Sequence, residues 1–134
     1  MQFPLAVVFE NGNCLANRLR VDGIHQRCMI REVKSPAEFR AAIPPGSAAI
    51  AVVELDDTKA GWEALVWLRE HRTTVAAVAA TAGETEYHSS FAWDLGVKQL
   101  LSAACALREL AIVVESLLSE RWGKANDAEV AGRR

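Results

Sequence analysis

The run Glu54-Leu55-Asp56-Asp57, set directly behind the apolar stretch 48–53, is the part of this chain best equipped for chemistry. Clustered carboxylates can attack a reactive centre as nucleophiles, or gather around a hard divalent cation that prefers oxygen ligands. Their position matters as much as their type. In an open parallel sheet the carboxyl edge is where ligands bind, so carboxylates at the exit of a strand stand in the right place if the rest of the chain supplies such a sheet.

The elements needed for that sheet are legible. Residues 5–9 form a compact apolar run with β-branched members, closed by the turn chemistry of Glu10-Asn11-Gly12-Asn13. A short helical segment over 16–21 follows, and 29–33 reads as a second, less hydrophobic strand suited to an edge. Ser35-Pro36-Ala37-Glu38 is a strong helix start: Ser35 can cap, Pro36 sits where its missing N–H is harmless, and Glu38 can complete a capping box. Phe39, Ala42 and Ile43 supply this helix's apolar side until Pro44-Pro45-Gly46 stops it. The third strand, 48–55, is apolar on both faces, as a central strand covered by helices should be.

A helix from Gly61 to His71 packs through Trp62, Leu65, Val66 and Leu68. Residues 74–80 give a fourth strand, 85–95 a helix ended by Gly96 in the left-handed conformation, and 97–101 a fifth strand. The longest helix begins near Ala104, with Leu107, Leu110, Ala111, Val114, Leu117 and Leu118 at helical spacing and Trp122 closing the stripe. Five strand–helix units joined by right-handed crossovers predict one three-layer α/β domain over 1–122, followed by a small, polar, flexible tail over 123–134.

Composition narrows the function classes. A chain of 134 residues, half apolar, buries a core without a metal or disulfide staple. The net charge of -2 gives no broad attraction to nucleic acid or anionic membrane, and the basic residues between Arg18 and Lys34 form no recognition motif. No apolar stretch is long enough to span a membrane, and no leader pattern opens the chain. Cys14, Cys28 and Cys105 lack zinc spacing and are expected as small buried thiols in a reducing, cytoplasmic setting. His25, His71 and His88 show no shared metal spacing, and no phosphate-loop, dinucleotide, nucleophile-elbow or zinc-protease signature is present. Neither cofactor nor metal is expected.

The order and spacing of these elements resemble a response-regulator receiver domain of the CheY-like superfamily, the module of bacterial two-component phosphorelay signalling. The resemblance covers about 5–118 and rests on Val52-Val-Glu-Leu-Asp-Asp-Thr-Lys-Ala-Gly-Trp-Glu-Ala-Leu65, on Ala80-Thr81-Ala82 and on Gly96-Val-Lys-Gln-Leu-Leu-Ser-Ala-Ala104. It implies a flavodoxin-like α/β/α fold with a five-stranded parallel sheet in the order 2-1-3-4-5. It also implies where the family's working residues fall. The acidic pair falls on Phe9 and Glu10, the phosphoacceptor on Glu54, the switch hydroxyl on Thr81, the lysine on Ala103 and the aromatic switch on Leu100. Gly61 follows Glu54 by seven residues, one fewer than in a common receiver arrangement.

Receiver-type phosphoryl transfer needs an in-line carboxylate, a divalent ion and a cation to neutralise developing charge. Phe9 removes a ligand and is expected to narrow the ion's site, and Ala103 removes the ammonium. The resemblance therefore leads to a degenerate pseudo-receiver that is noncatalytic, is not phosphorylated and works through a protein partner. The family's interaction surface of penultimate helix, fifth strand and last helix falls here on Tyr87, Phe91, Trp93, Lys98, Arg108, Glu109 and Glu115. Alternatives stay open. Asp56 can serve as phosphoacceptor if the register is displaced, with Glu10 and Asp57 helping a divalent cation; otherwise Asp56 and Asp57 satisfy loop N–H groups. Glu54 either imitates a phosphorylated aspartate or is a strand-end glutamate, and Thr81 either answers a phosphoryl group or bonds local backbone. A structural homodimer is a further reading.

Overall fold

A computed structural model describes residues 4–55, 59–81 and 92–123. Within them the elements are β1 (Leu5–Phe9), α1 (Cys14–Val21), a 3₁₀ turn (Ile24–Gln26), β2 (Met29–Val33), α2 (Pro36–Ala42), β3 (Ile50–Leu55), α3 (Ala60–His71), β4 (Ala76–Thr81), β5 (Gln99–Ser102) and α4 (Ala103–Leu118). The strands form one parallel sheet in the order β2-β1-β3-β4-β5. That is the expected flavodoxin-like order, with β2 at an edge. Asp56, Asp57, Tyr87, Phe91, most of the helix expected over 85–95 and the tail beyond Gly123 lie outside the described residues.

Local chemistry explains the elements. Ser35 Oγ accepts the Glu38 N–H at 3.1 Å, and Pro36 opens α2. Glu38 turns its carboxylate to the Ser35 hydroxyl at 3.4 Å, so the reciprocal half of the expected box goes through the side chain. Gly96 has φ +85, the left-handed conformation expected of it. Differences from expectation sit at element ends. β4 and β5 each end one residue later than the apolar runs do, and α4 stops at Leu118, passing into a π-helical turn over Ser119–Gly123.

Strand alternation sorts the core into two clusters, one on each side of the sheet. Ala6, Val8, Ile50, Val52 and Val78 face α1 and α4, meeting Leu19, Leu110, Val114 and Leu118. Val7, Phe9, Ala51, Val53 and Leu55 face α2 and α3, meeting Phe39, Leu65 and Leu68. The second side carries an aromatic wedge. Phe9 stacks on Phe39 at 5.4 Å, Phe39 meets Trp67 edge-on at 5.9 Å, and the Arg72 guanidinium lies 4.7 Å over Trp67.

At the amino edge, Arg121 donates to the carbonyls of Ala48 (2.9 Å) and Thr74 (2.6 Å), tying the turn after α4 beneath β3 and β4.

Candidate functional site: the carboxyl edge of the sheet

Val33, Phe9 and Val53 are the last registered positions across β2, β1 and β3. The next residues are Lys34, Glu10 and Glu54. They continue three neighbouring parallel strands, and alternation turns all three toward the α1 and α4 side. One cation and two anions therefore stand in a row at the edge where ligands bind in this architecture.

Glu10 is the only buried charged side chain among the described residues, at 2% exposure. Its two oxygens accept the N–H groups of Leu15 (3.0 Å) and Ala16 (2.9 Å), near the start of α1. Asn13, at the N-cap position, makes no capping bond with its side chain, so the strand-end glutamate satisfies those orphan donors instead. The positive end of the α1 dipole favours a carboxylate there.

Glu54 is half-buried and accepts the Asn11 N–H through Oε1 at 3.1 Å. Lys34 Nζ donates to the Glu10 carbonyl at 3.3 Å and to the Gly12 carbonyl. Successive backbone groups of the β1–α1 loop thus point to alternate charges: carbonyls 10 and 12 to the ammonium, amide 11 to a carboxylate.

The floor under Glu54 is closed by α3. A Cβ on Gly61 would overlap the Glu54 carbonyl oxygen and stand 3.1 Å from Leu55 Cδ2. Glycine at this place is what lets α3 approach the end of β3.

Among the described residues of the expected site, Phe9 and Thr81 do not share Glu54's side of the sheet. Phe9, expected to narrow the ion's site, is turned to the opposite side of the sheet, because it is adjacent to Glu10 and adjacent strand residues face opposite ways. Thr81 ends β4 in register with Leu55 and Ser102, on the same side as Leu55 and opposite Glu54. Ala103 opens α4. Lys34 was not among the expected site residues. Its signal was only that it follows the second strand, and it gains meaning once β2 lies beside β1.

The alternative in which Asp56 accepts a phosphoryl group calls for a divalent ion at this edge. The described donors do not fit one: both Glu10 oxygens are spent on helix N–H groups, the loop carbonyls face an ammonium, and Phe9 supplies no ligand. Among the described residues no three acidic, histidine or cysteine side chains converge on a metal position.

The expected interaction surface is partly in view. Trp93 is half exposed, and Lys98, Arg108 and Glu109 are exposed. Lys98 and Gln99 border an open groove whose other wall is Ile112, Val113 and Ser116 of α4, with Ile112 67% exposed. Glu115 does not join them. It pairs with Arg27 of the segment before β2 at 2.8 Å. Among the described residues, no helix is long and apolar enough to cross a membrane.

The sheet order and its covering helices define a flavodoxin-like α/β fold of the receiver type. Solved structures place it among particular relatives in shape. A CheY-like response regulator receiver domain from Methanospirillum hungatei JF-1 superposes with TM-score 0.73 at 14% identity, covering 92% of this chain and 99% of that one. The receiver domain of the Francisella response regulator 1452 gives 0.71 at 14%, covering 88% and 98%. A response regulator receiver domain from Rhodospirillum rubrum gives 0.66 at 17%, covering 84% and 94%. No family model and no curated protein matches the sequence.

Proposed function

We propose that this chain is a pseudo-receiver: a noncatalytic signalling or assembly module that works by protein–protein contact without being phosphorylated. The observation that carries this reading is the commitment of Glu10. A carboxylate that holds the first turn of α1 with both oxygens is a structural group, and freeing it for an ion would undo the cap. Alanine at position 103, where receivers hold a lysine, supports the same reading, since the charge developing on a phosphoryl group would lack its counter-cation there. The partner is a protein, met through the exposed Trp93, Arg108 and Glu109 and through Lys98, which lines the groove beside Ile112. A cytoplasmic setting suits the free thiols Cys14 and Cys28, of which Cys28 is buried as expected while Cys14, at the start of α1, is exposed.

Incubation with magnesium and a small-molecule phosphodonor, read by intact mass, tests the reading. No stoichiometric acyl phosphate is expected. An adduct at one phosphoryl group per chain overturns the assignment, and its loss in Asp56→Asn alone would establish Asp56 as the acceptor.

A further inference from the structure

We propose that Lys34 is the resident cation of the carboxyl edge, occupying with its ammonium the place that a divalent ion would take between the β1–α1 loop and the acidic strand ends. Three observations converge on it. The first is placement: Lys34, Glu10 and Glu54 are the residues that follow one registered row, Val33, Phe9 and Val53, so the lysine is delivered by the sheet itself. The second is the choice of partners. Lys34 Nζ takes the carbonyl oxygens of Glu10 and Gly12, neutral oxygens of the kind a hard cation collects, and does so on a loop whose intervening amide is bound to Glu54.

The third is charge. Glu10 and Glu54 bring two negative charges to adjacent strand ends, and like charges so placed repel unless a cation or oriented N–H groups offset them. The amides of Asn11, Leu15 and Ala16 meet the carboxylates, and Lys34 brings its positive charge to the same loop through the backbone carbonyls of Glu10 and Gly12, without an ion pair to either carboxylate. A tethered ammonium fills this role at any magnesium concentration and needs no ion to be dehydrated. The edge is therefore held in one arrangement by the chain's own charge. The proposal extends the reading of the edge as unphosphorylated, but it concerns a different measurable, so either can fail alone.

The test compares the full-length protein with Lys34→Met, which keeps the length of the stem and removes the charge. Amide hydrogen exchange is followed at Asn11, Gly12 and Asn13, with amides of β3 and β4 as internal controls for folding. In the wild type these loop amides are expected to be unmoved by millimolar magnesium. In Lys34→Met they should exchange about tenfold faster, the controls should hold, and magnesium should restore part of the protection by taking the vacated carbonyls. Manganese, used as a paramagnetic probe, should broaden the same amides in the variant and spare them in the wild type. The proposal is overturned by manganese broadening of these amides in the wild type, by unchanged loop exchange in the variant, or by a variant loop that ignores magnesium.

Discussion

Glu10 shows how a residue's neighbours decide what it does. With both carboxylate oxygens on α1 amides at 2% exposure, it acts as a helix cap delivered from a strand end. Glu10→Gln keeps the shape but replaces one acceptor by a donor that faces an N–H group, and should destabilise the fold by about 1–3 kcal/mol in urea unfolding. A Glu10→Gln protein as stable as the wild type would show that the cap contributes nothing. Cys28 is a second residue with a measurable consequence. Burial raises its thiol pKa above the ordinary value of 9.0, while the nearby Arg27 pulls the other way. Below that ordinary value both folded and unfolded thiols are protonated and the contribution is intact. As pH rises, the unfolded thiol ionises first, so stability is lost through the interval up to the folded pKa. Unfolding curves from about pH 7.5 to 10 should therefore fall less steeply for Cys28→Ala than for the wild type.

Elements meet at this edge through glycine. Gly61→Ala gains helix propensity of about 1 kcal/mol yet places a Cβ against the Glu54 carbonyl, and overpacking of this kind costs about 1–3 kcal/mol. Net destabilisation in chemical unfolding is expected; a stabilised variant would show that α3 can back away freely. The element scale is also where the sequence was most readable. Ser35-Pro36 announced α2, the apolar run before Glu54 announced a central strand, and the weak run at 29–33 announced an edge, because each signal lies within a few neighbouring residues. The 3₁₀ turn Ile24–Gln26 is too short to carry a period and went unread. The site was legible only in part. Glu54 could be placed by position along its strand, whereas the Lys34 contacts join residues 22 and 24 positions apart and exist only after β2 pairs with β1. Phe9 does not narrow the ion's site, because strand alternation turns it away from Glu10 and into the wedge with Phe39, a relation that shows only once the strand's two faces are assigned.

For the whole molecule, the surface around Lys98, Gln99 and Ile112 sets the expected behaviour in solution. Sedimentation over a concentration series should show either one mass throughout or a monomer–dimer shift that Ile112→Lys abolishes. A dimer indifferent to that substitution would place self-association elsewhere. Beneath the surface, the sheet is a partition. Phe9 and Glu10 are consecutive in the chain, yet one belongs to the aromatic wedge under α2 and the other to the cap of α1, with no shared partner. Energetic effects of substitutions on the two sides should therefore sum nearly independently. Such a partition leaves the aromatic wedge able to specify the architecture whatever residues stand on the acidic side of the carboxyl edge. The same architecture is met at TM-score 0.73 in a chain that shares only 14% of its residues with this one.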